Sequence, residues 1–134
     1  IIEWGCGVAW SAAEKLEFKK ALEVRTRNFA VLTFRYLDAL PRSNSGRVIA
    51  YQLGKSASSV GANYREANRC ESVEDFSHKM AIVLKECSET RYWLEILCEL
   101  RPKSETCAKL LEESDELLRI FQTVERKLKA RRKT

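Results

Sequence analysis

Apolar side chains recur every three, four or seven residues along four long segments of the chain, and short polar breaks separate these segments. The first segment spans about residues 11–40, and its apolar positions are Phe18, Leu22, Phe29, Leu32, Tyr36 and Leu40. The second spans about 47–68, and its apolar positions are Ile49, Leu53, Ala57, Val60, Tyr64 and Ala67. Because residues three or four apart share one face of an α-helix, both segments predict amphipathic helices.

The third and fourth segments show the same spacing. The third begins at Ser72, which with Asp75 resembles a capping box. Its stripe is Phe76, Met80, Val83, Cys87, Thr90, Leu94 and Leu97. The fourth runs from about 102–104 to 129, and its stripe is Cys107, Leu111, Leu118, Phe121, Val124 and Leu128. Pro41 and Pro102 are expected to end the first and third helices, since proline disfavours helical geometry in the residue before it.

These four segments predict an all-α protein. Helices of about 25 residues are about 37 Å long, and connections of a few residues make sequential helices antiparallel. The chain has 134 residues, enough for one hydrophobic core. We therefore expect residues 13–134 to form one antiparallel, up-down-up-down four-helix bundle with a basic C-terminal end.

The first dozen residues are expected to lie outside the bundle. Residues 1–10, IIEWGCGVAW, are apolar but lack the basic lead-in of a signal peptide. We interpret residues 1–12 as an N-terminal extension, either disordered or foreign to the natural protein. No stretch approaches the roughly 18–20 apolar residues of a membrane helix, so no membrane association is expected.

Composition indicates a reduced, cytoplasmic protein. The five cysteines are Cys6, Cys70, Cys87, Cys98 and Cys107. Their number is odd and no C-x-x-C pair occurs, which argues against a disulfide framework and against a zinc site. We expect reduced thiols that pack as small hydrophobic groups.

The search for catalytic chemistry finds little. The one histidine, His78, has no identifiable partner for acid–base work, and a surface role is favoured. No phosphate-binding glycine loop and no H-E-x-x-H motif is present. One histidine cannot supply a di-iron bundle. We expect no enzyme activity, no metal and no cofactor.

Basic residues are concentrated at the C-terminus. The tail cations are Arg126, Lys127, Lys129, Arg131, Arg132 and Lys133. A helix C-terminus favours two or three cations on electrostatic grounds, but six exceed that need. The predicted turn after the first helix adds Arg42 and Arg47. With a formal net charge of +5, these eight residues form a candidate phosphate-binding set, and a merely solvated surface is the alternative.

Two stretches carry a family resemblance. Residues 57–67, ASSVGANYREA, and residues 76–81, FSHKMA, followed by 86–95, ECSETRYWLE, resemble the second- and third-helix signatures of the ribosomal-RNA intervening-sequence proteins. The resemblance covers about residues 16–128. It implies an up-down bundle, assembly into rings of five subunits, a gene inside an insertion in a bacterial large-subunit ribosomal RNA gene, and no established enzymatic activity.

A related group, the accessory variability proteins of diversity-generating retroelements, forms five-fold barrels that bind nucleic acid. That group lacks the pattern ETRYWL found at residues 89–94, so the chain resembles the ribosomal-insert branch more. A ring of five would carry a formal charge of +25, five times the +5 of one chain. Binding to a polyanion would then fall more steeply with salt.

A closed ring needs two different patches on each subunit. We expect one on the polar stripe of the second helix, formed by Gln52, Ser56, Ser59, Asn63 and Glu66. Tyr92 and Trp93 are the candidate for the other, although both could instead complete the core. Two functions remain open: a non-catalytic homopentamer that binds structured RNA or DNA, and a protein–protein interaction scaffold without nucleic-acid binding.

Overall fold

A computed structural model describes residues 10–132, and Arg132 by its backbone alone. The helices are α1 (Ala12–Ala39), α2 (Asn44–Asn68), α3 (Val73–Leu100) and α4 (Glu105–Arg132), and no strand occurs among the described residues. The predicted all-α class is therefore confirmed. No helix in residues 10–132 is long and apolar enough to cross a membrane.

Serine side chains fix where the helices begin. Ser11 accepts a hydrogen bond from the backbone N–H of Glu14 at 3.2 Å and forms a full capping box with it. Ser72 accepts one from Asp75 at 3.1 Å, as predicted. Ser43 caps α2 through the N–H of Gly46 at 2.9 Å. Because this cap satisfies a first-turn donor, α2 begins at Asn44, three residues earlier than the turn-like sequence suggested.

The start of α1 alters the predicted boundary of the extension. Ser11 caps the helix, and the Trp10 ring meets the Phe18 ring edge to face with centroids 5.3 Å apart. Residues 10–12, assigned to the extension, are therefore part of the fold. The rest of the predicted extension, residues 1–9, lies outside the described residues.

Pairs of residues across the seams establish the topology. Thr26 of α1 lies against Gly61 of α2, Glu66 of α2 pairs with Lys79 of α3, and Cys98 of α3 lies against Cys107 of α4. In the last two pairs a residue near the end of one helix meets a residue near the start of the next, and in the first pair the middle of α1 meets the second half of α2. Sequential helices therefore run antiparallel. Among the described residues the backbone of each helix lies close to those of its two neighbours, and only side chains meet across the diagonal, as Tyr64 of α2 and Phe121 of α4 do. The predicted up-down-up-down bundle is confirmed.

The apolar stripes of α2 and α3 form the core as predicted. All six predicted α2 positions are buried, and so are the predicted α3 positions except Phe76, which is half-buried. Polar caps at the start of each helix and a continuous buried face explain why these segments fold as amphipathic helices. The other two helices differ from the prediction.

The buried face of α1 runs through threonines. It consists of Leu22, Thr26, Phe29, Thr33 and Leu37, whereas predicted Leu32 is 52% exposed. Thr26 and Thr33 donate their hydroxyl hydrogens to the carbonyls of Leu22 and Phe29, four residues earlier. A hydroxyl satisfied within its own helix can be buried without an unpaired polar group.

The buried face of α4 also passes through a polar residue. It consists of Cys107, Leu110, Ser114, Leu117, Phe121, Val124 and Leu128. Predicted Leu111 and Leu118 are half-buried at its edge. The four-three spacing of buried residues continues through Ser114. Because the predicted stripe omits this serine, it contains Leu111 and Leu118 in place of their buried neighbours Leu110 and Leu117.

The seam between α1 and α4 is packed less closely than the other three seams. An ion-pair cluster bridges it: Arg25 donates to Glu113 at 2.8 and 2.5 Å and to Glu116 at 3.0 Å. Arg25 is half-buried, so its stem packs against the helices while its guanidinium reaches the carboxylates at the edge.

Candidate nucleic-acid interface

The antiparallel topology divides the predicted phosphate-binding residues between two ends of the bundle. Five of the tail cations, Arg126, Lys127, Lys129, Arg131 and Arg132, belong to the last turns of α4. Arg42 lies in the α1–α2 connection and Arg47 in the first turn of α2. The two sets are separated by roughly the length of a 28-residue helix, about 42 Å. They therefore form two surfaces rather than the single set proposed from sequence.

The tail cations themselves point in different directions. Arg126 and Lys129 line a groove between α3 and α4. Arg131 lines a smaller pocket of about 390 Å³ beside the α2–α3 turn, with Lys19, Glu71 and Phe76. Lys127 is half-buried. Lys133 and the side chain of Arg132 lie outside the described residues.

The α3–α4 groove is an open channel of about 710 Å³ along the outer side of the two helices. Its lining residues are Ala81, Leu84, Lys85, Ser88, Leu118, Gln122, Glu125, Arg126 and Lys129. Small residues of α3 leave the space, and long charged residues surround it. Three cations and one carboxylate give the groove a net formal charge of +2, three minus one.

Two cations on the α4 side of this groove contact neighbouring side chains of the same helix. Lys129 Nζ lies 2.7 Å from Glu125 Oε1, one turn earlier. Arg126 Nη2 donates to Thr123 Oγ1 at 3.1 Å. Both contacts are at the surface, where such pairs stabilise by about 1 kcal/mol or less. Either cation can therefore exchange its present partner for a phosphate oxygen at small cost.

Lys85 is the groove residue that the sequence interpretation missed. Its place in the groove follows from α3 packing antiparallel to α4, which sets Lys85 opposite Arg126. The sequence does contain one indication of this groove: the small residues Ala81 and Ser88 lie four residues before and three residues after Lys85, on the same face of the helix.

The glutamates near Lys85 do not form one buried network with α2. Burial and repulsion by Glu89 raise the pKa of the Glu86 carboxyl, while Lys85 and Lys55 oppose that rise. Glu66 instead accepts from Lys79 Nζ at 2.6 Å, several turns away. Glu66 and Glu86 therefore lie in separate environments along the α2–α3 seam.

The predicted subunit-interface stripe on α2 faces this α2–α3 seam. Ser56 is only 1% exposed, and its hydroxyl donates to the carbonyl of Leu53 at 3.3 Å. It belongs to the core, so its assignment to a subunit contact is corrected. Gln52, Ser59 and Asn63 are half-buried and Glu66 is exposed.

The predicted aromatic pair is divided between core and surface. Trp93 is half-buried and packs on the core, whereas Tyr92 is 57% exposed. Their rings meet edge to face with centroids 5.3 Å apart. Trp93 therefore completes the core, and Tyr92 lies at the surface.

No catalytic arrangement emerges from the described residues. His78 is exposed, and no group of three or more His, Cys, Asp or Glu in residues 10–132 could hold a metal ion. Burial raises the pKa of the Cys87 thiol to about 12. A thiol with so high a pKa is a poor nucleophile at neutral pH.

With this geometry in place, comparison with known proteins identifies the family. The sequence pattern of the 23S rRNA-intervening sequence protein family matches residues 20–123, more than three quarters of the chain. The chain belongs to the 23S rRNA-intervening sequence protein family. No curated protein matches it.

A solved structure is similar to this 23S rRNA-intervening sequence protein in both sequence and fold. It is a crystal structure of a protein with unknown function from the S23 ribosomal protein family of Bacteroides thetaiotaomicron VPI-5482. The two chains are 30% identical, with a TM-score of 0.69 over 77% of this chain and 96% of the other. The family resemblance carried by α2 and α3 is thereby confirmed.

The family match of this 23S rRNA-intervening sequence protein ends at residue 123, just before the tail cations begin. Lys85 lies inside the matched region, and Arg126 and Lys129 lie beyond it. Family membership by itself therefore assigns no role to the cations of α4. A role for them depends on the geometry of the α3–α4 groove.

Proposed function

We propose that this 23S rRNA-intervening sequence family member is a non-catalytic, ring-forming, cytoplasmic protein that binds structured RNA or DNA through its α3–α4 groove. The observation that carries the proposal is the meeting of Lys85, Arg126 and Lys129 in one groove. Cations clustered on one face neutralise phosphates and release counterions, which is the main source of sequence-independent affinity.

The composition of the groove favours contacts to the phosphate backbone over contacts to bases. None of its nine lining residues is aromatic, so bases have no side chain on which to stack. Lysine and arginine contacts to phosphate position a nucleic acid without reading its sequence. We therefore propose binding that depends on charge and on duplex structure, with little sequence preference.

A matched pair of triple variants tests the groove. Lys85→Ala with Arg126→Ala and Lys129→Ala should weaken binding to labelled structured RNA or duplex DNA by roughly tenfold or more. The slope of log K against log salt should fall by about 2–3 units, since up to three phosphate contacts are lost. A salt titration of the nuclease-treated protein, followed by fluorescence anisotropy, measures both quantities.

The control removes three charges at the other end of the bundle. Arg42→Ala with Arg47→Ala and Lys103→Ala gives the same net charge and should bind almost as the unsubstituted protein does. Along the helix axes these residues lie about 20–35 Å from Lys85, Arg126 and Lys129, which is well beyond the Debye length of about 8–10 Å. Equal losses in the two variants would assign the effect to net charge, and absence of binding at low salt would end the nucleic-acid proposal.

The ring proposal gains support from exposed apolar side chains. Phe34, Val48 and Tyr51 are large, exposed residues of α1 and α2, and Phe34 lies beside Gly54, one turn after Tyr51. We propose that this α1–α2 patch, with Tyr92 of α3, supplies the contacts between subunits that buried Ser56 cannot make. Self-association would remove these side chains from water.

The mass in solution tests the ring. A pentamer has a mass of 77.5 kDa, five times 15.5 kDa, and light scattering after gel filtration should give this value. Val48→Glu with Tyr51→Glu should reduce the mass toward 15.5 kDa. The control Val73→Glu, also exposed but at the end of the bundle, should leave it unchanged. A monomeric unsubstituted protein would contradict the ring.

A scaffold function is the second candidate, and one observation favours it. The loosely packed α1–α4 seam contains a groove of about 760 Å³ with exposed Val24 and Leu32 and with Arg35 and Lys109 at its rim. Such a groove suits an amphipathic helix of another protein whose flank is acidic. Failure of both nucleic acids to bind would leave this function as the working proposal.

A further inference from the structure

Two thiols face each other where α3 ends and α4 begins. Cys98 Sγ lies 2.6 Å from Cys107 Sγ, across the turn that contains Pro102. Both cysteines are free. A disulfide requires sulfurs about 2.05 Å apart, so small side-chain rotations separate the present arrangement from a covalent bond.

The two cysteines differ in access. Cys98 is half-buried and lines a shallow surface pocket of about 530 Å³ with Glu95, Glu99 and Leu111. Cys107 is fully buried behind it. A small solute can therefore reach the Cys98 sulfur from solvent, whereas the Cys98 side chain shields the Cys107 sulfur.

The position of Cys107 is fixed by the start of α4. Its backbone N–H donates to Ser104 Oγ at 3.2 Å, the hydrogen bond that caps the helix. Ser104 Oγ also lies 2.7 Å from the hydroxyl of Tyr36 in α1. Contacts from α1 and α4 thus hold Cys107 against Cys98, and the pairing does not depend on a mobile segment.

We propose that Cys98 and Cys107 form a redox-modification site, at which hydrogen peroxide converts the two thiols to an intrachain disulfide. Cys98, as thiolate, attacks one peroxide oxygen; the O–O bond breaks, and the other oxygen leaves as water after taking a proton. The resulting sulfenic acid of Cys98 is attacked by the Cys107 sulfur, and its oxygen leaves as a second water. One peroxide is reduced and two thiols are oxidised, and a dithiol reductant reverses the change.

The order of these steps follows from the surroundings of each sulfur. Burial and the hydrogen bond with Cys98 raise the pKa of the Cys107 thiol to about 12. The thiolate is the reactive form of cysteine. The accessible Cys98 is therefore the sulfur that attacks the oxidant first. Cys107 is by itself a weak nucleophile, and it acts as the resolving thiol because its sulfur is held 2.6 Å from that of Cys98.

The other described cysteines provide internal controls. Cys70 lies at the opposite end of the bundle, and its Sγ donates to the carbonyl of Glu66 at 3.4 Å. Cys87 is buried in the middle of α3. Neither has a cysteine partner among residues 10–132 in the way that Cys98 and Cys107 do, so neither is expected to close an intrachain bond.

The test oxidises the full chain and maps the product. After one equivalent of hydrogen peroxide, denaturation and alkylation, two of the five thiols should resist modification, and dithiothreitol should restore them. Trypsin cleaves after Arg91, Lys103 and Lys109 but not between Arg101 and Pro102. The non-reduced digest should therefore contain peptide 92–103 joined to peptide 104–109, recognised by mass spectrometry.

Single variants separate this pair from the other cysteines. Cys98→Ser should abolish the linked peptide, whereas Cys70→Ser should leave its yield unchanged. The oxidised chain should also melt at a higher temperature than the reduced chain, because the bond closes a loop in the unfolded state. Five alkylatable thiols after treatment, or a disulfide-linked dimer as the first product, would overturn the proposal. Both results are read from the unsubstituted protein and do not depend on the folding of any variant.

Discussion

Replacing Phe121 by alanine is expected to lower the free energy of unfolding by about 3–5 kcal/mol. The Phe121 side chain is completely buried and is among the largest in the core. It packs on the ring of Tyr64 from α2, with centroids 5.2 Å apart and planes inclined by 56°. Alanine would lose this aromatic contact and leave a cavity between α2 and α4 that the rigid neighbours cannot fill.

Urea unfolding at one fixed protein concentration measures this loss, since any ring assembly adds a concentration-dependent term. Phe34→Ala makes the same chemical change on the surface, where the side chain is 44% exposed. Its expected cost is about 1–2 kcal/mol, because nearly half of the side chain stays in water after folding. Similar losses in the two variants would contradict the assignment of Phe121 to the centre of the core.

The comparison between α2 and α4 explains which parts of the fold were predictable. The six predicted positions of the α2 stripe are apolar or tyrosine, and all six are buried, although the buried face of α2 also includes Ser56. The stripe of α4 contains Ser114. A rule that counts apolar residues misses such a position, although the spacing on both sides of the serine continues through it.

Burial of threonine in α1 shows a related limit. Thr26 and Thr33 are completely buried because each hydroxyl donates to a carbonyl of its own helix. The sequence shows that a threonine in a helix can form such a hydrogen bond. It does not show whether a neighbouring helix packs over that threonine and buries it. The neighbour here is α2, whose Gly61 allows the close approach to Thr26.

Only part of the candidate site could be predicted from the sequence. The run of basic residues at the end of α4 is evident from the sequence. The predicted antiparallel topology also implies that Arg42 and Arg47 lie at the other end of the bundle. Lys85 could not be assigned in the same way, because its role depends on which side of α3 packs next to Arg126. That register is set by tertiary packing rather than by local sequence.

Two glycines of α2 provide a second test of the packing, because the same substitution should act in opposite directions at each. Gly61→Ala should destabilise the protein by about 1–2 kcal/mol. Gly54→Ala should leave stability unchanged or raise it by up to about 1 kcal/mol, since alanine favours the helix more than glycine does. Unfolding in urea at one protein concentration measures both.

The difference arises from what each new methyl group would meet on α1. A Cβ at Gly61 would lie 2.9 Å from Thr26 Oγ1 and 3.2 Å from Thr26 Cβ. Thr26 cannot turn away without losing its bonds of 2.9 and 3.0 Å to the carbonyls of Leu22 and Glu23. A Cβ at Gly54 would lie 2.9 Å from Phe34 Cε1, but that ring is exposed and can swing outward.

A larger residue and a compensating change complete the test. Gly61→Leu should cost about 3 kcal/mol or more, since its side chain must separate α2 from α1. Thr26→Ala should recover part of the loss caused by Gly61→Ala, because it removes the oxygen that the new methyl group meets. The two changes should then be non-additive, as expected for residues in contact. Strict additivity, or a gain in stability from Gly61→Ala alone, would mean that the two helices are not in tight contact at Thr26.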